Sequence, residues 1–374
     1  MKVAVVISAL AGIVVGALIG ALFLAPRLTD STSPAAAVSD KGSSAADVAA
    51  EPAVHWRMGS AYPSTMAISG TAGKRFERRI ALVSNGNIEI RFFEPGALVP
   101  ALELFDAVSA GSVDASFATA GYWAGKVPAA QFFTTVPFGP RLPETLAWLH
   151  YGGGLELWRE LYRPYNVYPI PCYMNAAEGS GWFRHPIDTL DDLKGLKMRF
   201  FGLGARAMEK LGVSTQLLAG GDIYPALELG TIDATEFSMP VLDEGLGFQE
   251  IAKNYYFPGW HQPDSVGELN VNLDRWNALT ERQQALIETV CGDNIIASWA
   301  DSEASQFGPL QRLQTQGVVL HRWPKEFLEA FHKAWEEVRA EESATDPDFA
   351  RVSDSLAAFH EEYRIWRDLS ALPN

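Results

Sequence analysis

The sequence predicts an α/β protein made of two similar domains whose sheets are covered by helices. Strand-like and helix-like patterns alternate through both halves of the chain, as they do in parallel sheets with helices on their faces. One helix–glycine–strand unit occurs once in each half. The chain has 374 residues, which is long enough for two such domains with separate cores.

The first residues predict export from the cytoplasm. Lys2 precedes an apolar run, residues 3–24, which has the charge and hydrophobicity of an export signal. The run also approaches the roughly 20 residues of a membrane span, so residues 1–26 are either a signal peptide or a membrane anchor. Residues 27–53, rich in Ser, Ala, Asp and Pro, predict a disordered linker before a folded part that begins near Val54.

The repeated unit predicts where a ligand binds. Residues 100–116 and 225–235 each combine a helix with proline in its first turn, a glycine that ends the helix, and a short strand. In α/β sheets, ligands bind beyond the carboxyl ends of the strands. We therefore expect the residues that follow these strands, 119–123 and 236–237, to lie near the ligand. Residues 280–369 are mostly amphipathic helix, with a capping box at their start.

The charge excludes one class of partner, and the motifs favour no class of enzyme. The formal net charge is −15, which leaves no basic surface for nucleic acid, although one buried arginine still suffices to bind an anion. Residues 202–207 superficially match the dinucleotide fingerprint, but Asp222, the acid at the right distance, begins a helix instead of ending a strand. The sequence contains no phosphate loop, hydrolase elbow or metalloprotease histidine pair.

The two cysteines, Cys172 and Cys291, lack the spacing of metal ligands. Two buried thiols are the favoured interpretation. One disulfide is the alternative, because an exported protein reaches an oxidising compartment.

Arg199 lies within an apolar strand, residues 196–201, between Met and Phe side chains. An unpaired buried charge is very costly, so the guanidinium must meet an anion. Two partners are equally compatible with the sequence: a carboxylate of the protein, or a ligand carboxylate held by the planar two-pronged guanidinium.

Three acids stand in unusual surroundings. Glu178 lies in a Gly-rich turn, Glu236 directly follows the second repeated strand, and Glu268 lies inside a strand. Carboxylates held in this way often bind a hard cation, which prefers oxygen ligands. Each is also a candidate salt-bridge partner.

Seven segments together resemble the solute-binding proteins of tripartite ATP-independent periplasmic (TRAP) transporters, especially the branch that binds 2-oxo or 2-hydroxy acids with a metal ion. The resemblance extends from His55 to about Phe331. The segments that carry it are residues 121–126 (GYWAGK), 136–139 (VPFG), 181–184 (GWFR), 193–199 (LKGLKMR), 220–224 (GGDIY), 232–236 (IDATE) and 259–261 (GWH).

This resemblance implies a two-domain periplasmic-binding-protein fold with crossing hinge strands and a long helix, closing on its ligand like a trap. We expect the first domain at residues 54–172 and 236–270, the second at residues 173–235 and 271–330, and C-terminal helices at residues 331–374.

The resemblance also implies roles for single residues. Arg199 matches the arginine that grips the ligand carboxylate, and Tyr122 matches a tyrosine that hydrogen-bonds the ligand. Glu236 and Phe237 match a metal-binding pair in which the second residue, usually Trp, contributes its backbone carbonyl. Glu268 matches a further metal-ligand position.

The segment at residues 171–183 departs from the pattern of that branch. Met174 stands where the family has a substrate-contacting Asn, and Asn175 follows it, so both are candidate substrate-binding residues. Glu178 replaces a metal-binding Gln. A third carboxylate favours a divalent over a monovalent ion, and it is equally able to bind an ammonium group without metal.

The sequence thus predicts a periplasmic solute-binding subunit of a TRAP transporter that captures a small carboxylate with a metal ion, Ca²⁺ or Na⁺. Its expected partners are the membrane subunits of the transporter. The sequence is compatible with both a monomer and a homodimer. The chain is not expected to be an enzyme. The alternatives are a metal-dependent enzyme that uses the glutamate cluster, and a binding protein of the ABC type.

Overall fold

The computed structural model describes residues 51–370, which form two sheets with covering helices. The strands are β1 (Val54–Ser60), β2 (Ile88–Phe93), β3 (Ala115–Ala118), β4 (Val167–Asn175), β5 (Gly181–Phe183), β6 (Lys197–Arg199), β7 (Ser214–Gln216), β8 (Ala234–Thr235), β9 (Asn254–Phe257), β10 (Ser265–Asn272) and β11 (Val319–Arg322). The helices are α1 (Ser69–Val83), α2 (Leu104–Ser109), α3 (Leu142–Tyr151), α4 (Gly154–Tyr162), α5 (Leu203–Lys210), α6 (Gly220–Glu228), α7 (Pro240–Gly245), α8 (Leu273–Asn277), α9 (Glu281–Ala304), α10 (Phe307–Thr315), α11 (Lys325–Thr345) and α12 (Pro347–Ser370).

The first sheet has five strands in the order β2-β1-β3-β10-β4. β1 is parallel to β2 and β3, whereas β10 runs antiparallel to β3 and β4. Helix α1 packs on β2, and the long helix α9 packs on β4 and α1. Buried and exposed residues alternate along β2, because successive side chains of a strand point to opposite faces.

The second sheet has six strands in the order β11-β9-β5-β8-β6-β7. β6 is parallel to β7 and β8, but β5 runs antiparallel to β8 and β9. Both sheets are mixed, so the prediction of parallel sheets is wrong for β5 and β10. These two strands each receive the chain as it arrives from the other sheet, and they therefore run opposite to their neighbours.

The repeated unit is present in both sheets. Gly111 and Gly230 both have positive φ, 71° and 70°, which glycine adopts at little cost. The aspartate that follows each glycine accepts a hydrogen bond from the adjacent parallel strand. Asp114 Oδ2 accepts from a backbone N–H of β1 at 2.8 Å, and Asp233 Oδ2 accepts from a backbone N–H of β6 at 3.0 Å. The two domains therefore share one local plan.

The chain crosses from the first sheet to the second through residues 176–180 and returns through residues 258–264. The predicted domain boundaries need two corrections. Residues 236–257 were assigned to the first domain, but they include β9 of the second sheet. Residues 271–330 were assigned to the second domain, but they include α9, which packs on the first sheet. Pairing between distant segments decides both points, and local sequence patterns do not encode it.

Cys172 in β4 and Cys291 in α9 form a disulfide, with their Cα atoms 4.2 Å apart. The prediction of two free thiols is therefore wrong. The packing of α9 on β4 brings together two residues that are 119 positions apart in the chain. The disulfide joins the long helix to one of the strands that lead across to the second domain.

The predicted signal or anchor, residues 1–26, and most of the predicted linker lie outside the described residues. The end of that linker is attached to the folded part: Asn87 Nδ2 donates to the Glu51 carbonyl at 3.0 Å, and Gln283 Nε2 donates to the Pro52 carbonyl at 2.7 Å. Within residues 51–370, no helix has both the length and the apolar character that a membrane span requires.

Long helices complete the fold. Thr280 and Gln283 form the predicted capping box at the start of α9. α11 packs on α5 of the second domain, and α12 returns to pack on α3 and α4. The C-terminal helical region thus contacts elements of both domains.

Candidate ligand and metal site

A small cavity lies between the two sheets, at the carboxyl ends of β3 and β6 and beside the crossing segments. The first domain contributes Tyr62, Ser69, Thr119, Tyr122, Tyr173 and Asn175, the second contributes Arg199, Phe201, Phe237, Ser238 and Leu242, and the crossing strands and segments contribute Glu178, Gln262, Ser265 and Val266. Both strands of the repeated unit end near it, as the sequence predicts.

Arg199 ends β6, and its side chain is 1% exposed. Its Nη1 donates to Glu236 Oε1 and to the Glu236 carbonyl, each at 2.7 Å, and its Nε donates to the Leu218 carbonyl at 3.2 Å. Nη2 has no hydrogen-bond partner among the described residues. Arg199 therefore both forms the buried salt bridge and lines the cavity, so the two interpretations of the sequence are compatible.

Glu236 lies behind Arg199, immediately after β8, and is fully buried. Burial by itself raises its pKa, but Arg199, nearby His261 and the Phe201 N–H outweigh burial and hold the pKa below its ordinary value. Oε1 is taken by Arg199 and the Phe201 N–H, whereas Oε2 has no hydrogen-bond partner among the described residues. Glu236 is thus an ionised carboxylate with one free oxygen.

Glu178 lies in the first crossing segment and lines the cavity. Its Oε1 accepts hydrogen bonds from Ser238 Oγ at 3.1 Å and Ser265 Oγ at 3.4 Å, while Oε2 has no partner among the described residues. Gly259 of the second crossing segment donates its N–H to the Glu178 carbonyl at 3.0 Å, and a Cβ at Gly259 would lie 2.3 Å from that oxygen. The two crossing segments thus meet where only glycine fits.

Burial, followed by the charges of Glu236 and Asp243, raises the pKa of Glu178 well above its ordinary value. An ionised Glu178 is therefore unfavourable beside Glu236 unless a positive charge joins them. His261 lies next to both, with Nε2 3.6 Å from Glu236 Oε2, which is too long for a hydrogen bond.

One ligand atom each of Glu178, Glu236 and His261 lies within 4.8 Å of the others. Both ring nitrogens of His261 and Oε1 of Gln262 also lack hydrogen-bond partners among the described residues. Buried polar atoms are nearly always paired, so three unpaired oxygens together with an unpaired imidazole fit a cation. The residues present thus fit a metal ion, with two carboxylate oxygens and one imidazole nitrogen in reach of it.

Tyrosines form the first-domain wall of the cavity. Tyr173 and Tyr62 share a hydrogen bond between their hydroxyls at 3.0 Å, and the ring of Tyr122 lies 6.2 Å from that of Tyr62. Burial raises the pKa of all three hydroxyls, so they stay protonated at neutral pH. Tyr122 meets Phe201 of the second domain edge-on, with ring centroids 5.5 Å apart. This contact closes the cavity on one side.

Asn175 lines the cavity, but Met174 does not. Met174 is fully buried in the first-domain core, on the opposite face of β4 from its neighbours Tyr173 and Asn175. Its predicted role in substrate binding therefore has to be withdrawn. Phe237 lines the cavity, with its ring 5.3 Å from Arg199 Cζ.

Glu268 lies apart from Glu178 and Glu236. It is fully buried on β10, where Oε1 accepts from Trp123 Nε1 at 2.6 Å and Asn270 Nδ2 at 2.7 Å. Its Oε2 accepts from Tyr162 Oη at 3.2 Å. Both oxygens are satisfied by first-domain donors, and Glu268 does not line the cavity. The structure thus corrects its assignment as a metal ligand.

Sequence reasoning assigned no role to His261, Gln262 and the two serines that bond Glu178. His261 is 25 positions from Glu236 in the sequence, so spacing gave no signal. The segment 259–261 did carry part of the resemblance, which was the one available indication.

Residues 58–345 match the family of bacterial extracellular solute-binding proteins, family 7. This match covers more than half of the chain. The chain belongs to this family.

Individual members of the family are similar to this chain over most of its length. A monocarboxylate 2-oxoacid-binding periplasmic protein of Nostoc sp. is 36% identical over 321 residues, 86% of this chain and 88% of the relative. A TRAP transporter solute-binding protein of Bordetella bronchiseptica, a dimer with calcium and picolinate in one of its sites, is 36% identical. It aligns with a TM-score of 0.83 over 85% of this chain and 95% of its own.

A TRAP periplasmic solute-binding protein of Pseudoalteromonas atlantica, with bound sodium and pyruvate, is 32% identical. It aligns with a TM-score of 0.81 over 86% of this chain and all of its own. These findings confirm the predicted resemblance to TRAP solute-binding proteins and the two-domain α/β fold. The family consists of substrate-binding proteins of transporters, which also confirms that the chain is not an enzyme.

Proposed function

We propose that this solute-binding protein captures a small 2-oxo monocarboxylate, such as pyruvate, together with a divalent cation. One observation carries the proposal. Arg199 and Glu178 line one small cavity, Glu236 pairs with Arg199 behind it, and the Oε2 atoms of Glu178 and Glu236 lack partners among the described residues. A carboxylate needs a cationic donor and a cation needs oxygen ligands, so this place suits both together.

Each residue of the site has a separate role in this proposal. Arg199 Nη2 donates to a ligand carboxylate, while Nη1 stays on Glu236. Glu178, Glu236 and the Phe237 carbonyl supply oxygens to the cation, which also draws oxygens from the ligand. His261 belongs to the same cluster, with Nε2 3.6 Å from Glu236 Oε2, and its positive form or its ring nitrogen would balance the charge of the two carboxylates. Tyr122 and Asn175 offer neutral hydrogen bonds from the first domain.

A divalent ion, Ca²⁺ above all, is favoured over Na⁺. Two carboxylates and one guanidinium leave the cluster with excess negative charge, and oxygen ligands suit Ca²⁺. The calcium bound in the Bordetella bronchiseptica protein and the sodium bound in the Pseudoalteromonas atlantica protein support a cation at this place.

The protein is proposed to act in the periplasm, released or anchored by its N-terminal apolar segment, and to deliver its ligand to TRAP membrane subunits. The dimer of the Bordetella bronchiseptica protein supports a homodimer as its assembly. Fractionation of cells would separate a released protein in the periplasmic fraction from an anchored one in the membrane fraction.

Native mass spectrometry of protein purified without added ligand tests the binding proposal. The expected mass includes one small organic acid and one divalent ion together. Calorimetry with pyruvate and Ca²⁺ should then show mutually dependent binding. A protein that binds pyruvate equally well with and without any cation would contradict the proposal.

A further inference from the structure

Ile68, immediately before α1, has an unusual backbone conformation. Its φ of 56° and ψ of −77° lie near the γ-turn of positive φ, and the Ser69 N–H donates to the Ala67 carbonyl at 2.7 Å. A β-branched residue with positive φ is an outlier, because its Cβ crowds the backbone. Such strain persists only where surrounding contacts outweigh it.

Those contacts come from the second domain. Ile68 is 1% exposed and belongs to a hydrophobic cluster whose other buried members all lie within residues 182–318, on or beside the second sheet. Yet the helix that Ile68 precedes, α1, packs on β2 and α9. A side chain of the first domain is therefore buried in the core of the second.

The neighbours of Ile68 extend this contact. Met66 and Ala67 also pack against the second-domain cluster. A Cβ at Gly220, where α6 begins, would lie 3.6 Å from Met66 Cε. Three consecutive apolar residues thus cross the interface between the domains.

The next residue reaches the cavity. Ser69 lines it, and Ser69 Oγ donates to Asn175 Oδ1 at 3.4 Å, a long hydrogen bond. Ile68 itself does not line the cavity. The turn therefore links an interdomain contact to a residue of the binding site.

We propose that Ile68 is a positioning residue for ligand capture. Its side chain docks into the second domain when the two domains close, and the docked turn holds Ser69 and Asn175 at the ligand. Because the contact exists only in the closed form, it strengthens the apparent affinity without touching the ligand. The inference rests on the proposed function in that it needs a ligand whose binding closes the domains.

Ile68→Ala tests it, with pyruvate and CaCl₂ as the probe. Removing a buried isoleucine costs about 2 kcal/mol or more, and about 1.4 kcal/mol corresponds to a factor of ten. We therefore expect pyruvate to bind about 30-fold more weakly, mainly through faster dissociation, because the closed form opens more readily. Calorimetry gives the affinity, and stopped-flow measurement gives the dissociation rate.

Ile80→Ala is the matched control. Ile80 lies on the same helix, is fully buried, and does not belong to the second-domain cluster that contains Ile68. It should lower the unfolding temperature and leave the pyruvate affinity unchanged. If Ile68→Ala does not fold, Ile68→Val should still weaken binding by about fivefold. Equal losses of affinity in the Ile68 and Ile80 variants would overturn the proposal.

A readout without ligand separates this proposal from the proposed function. Spin labels on cysteines at Leu82 and Leu229, exposed residues of the first and second domains, report the interdomain distance. Ile68→Ala should shift the ligand-free distribution toward longer distances, whereas Ile80→Ala should not. An unchanged distribution would overturn the role of Ile68. If the wild type binds no 2-oxo acid but Ile68→Ala still lengthens the ligand-free interdomain distance, only the proposed ligand is overturned.

Discussion

The two walls of the cavity differ in charge. The first-domain wall presents three tyrosines whose burial keeps them neutral. The second-domain wall presents Arg199, with Glu236 behind it, and Glu178 stands at the crossing between the domains. Every charged group that lines the cavity therefore belongs to the second domain or to the crossing segment.

The difference in charge between the two walls indicates which wall the ligand and the ion contact first. Arg199 ends β6 and Glu236 follows β8, its parallel neighbour, so the ion pair is assembled within one sheet and does not depend on closure. The neutral wall adds hydrogen bonds and excludes water, which strengthens the charged contacts already made. We therefore expect ligand and ion to meet the charged wall first. Substitutions there should cost more affinity than substitutions of the tyrosines.

The largest effect is expected at Arg199. Arg199→Lys keeps a charge near Glu236 but loses the planar group that reaches the ligand through Nη2, so pyruvate affinity should fall by about 100-fold or more. Arg199→Ala should also destabilise the fold by about 3–5 kcal/mol, because it leaves Glu236 buried without its partner. An arginine that only contacted the ligand could be replaced without this loss of stability.

Calorimetry of the Lys variant with pyruvate and Ca²⁺ measures the first effect, and denaturant unfolding of the Ala variant measures the second. Arg322→Lys, at an exposed position on β11, serves as the control. Undiminished affinity in Arg199→Lys would remove Arg199 from the binding site.

Removal of the cation is expected to weaken pyruvate binding less than Arg199→Lys does. Chelation with EDTA should weaken pyruvate binding by at least about tenfold and lower the unfolding temperature, because an ion that binds only the folded protein stabilises it. Glu178→Gln should retain the ion with weaker affinity, since one ligand oxygen loses its charge. Titrations of wild type and variant, each with and without EDTA, measure both effects.

The same titrations test the ammonium alternative. If Glu178 pairs with an ammonium group of the ligand, chelation would change nothing and Glu178→Gln would abolish binding. An EDTA-insensitive wild type would therefore rule out the cation.

A still smaller effect is expected on the neutral wall. Tyr122→Phe removes one hydroxyl and keeps the ring contact with Phe201, so pyruvate affinity should fall by about fivefold, the value of one neutral hydrogen bond near 1 kcal/mol. Calorimetry at constant Ca²⁺ measures it. A loss as large as that of Arg199→Lys would contradict the proposed division between the walls.

Glu268 should show the smallest effect on binding and a distinct effect on stability. Glu268→Gln should leave Ca²⁺ affinity unchanged, because the carboxylate bonds only Trp123, Asn270 and Tyr162. Burial raises its pKa from 4.5 to about 7. Between these values only the folded protein retains the proton, so the free energy of unfolding should fall with rising pH, by up to about 1.4 kcal/mol per pH unit.

Below pH 4.5 and above about pH 7 this group should add no slope. Denaturant unfolding of wild type and Glu268→Gln across pH 4 to 8 gives the slope of the free energy of unfolding against pH. A loss of stability that is the same at every pH does not change this slope. Equal slopes would mean that Glu268 has the same pKa in the folded and the unfolded protein, and a weakened Ca²⁺ affinity would return it to the metal site.

Local patterns in the sequence were sufficient for part of this site. The repeated unit identified the strand ends from which Tyr122 and Glu236 project, because parallel strands present their carboxyl ends at one edge. The apolar surroundings of Arg199 required an anion. The Gly-rich turn made Glu178 a candidate cation ligand as well as a candidate salt-bridge partner, and the resemblance to TRAP binding proteins placed it at the position of a metal-binding Gln.

What the sequence by itself determined is therefore the class of protein, the alternation of helices and strands, and the strand ends near the ligand. Only the tertiary structure decided which face of β4 looks into the cavity, and so separated Asn175 from Met174. It also placed His261 beside Glu236, surrounded Glu268 with donors and joined Cys172 to Cys291. The physical reason is common to all of these: each depends on contacts between segments far apart in the chain, whereas sequence patterns record only which side chains share a face.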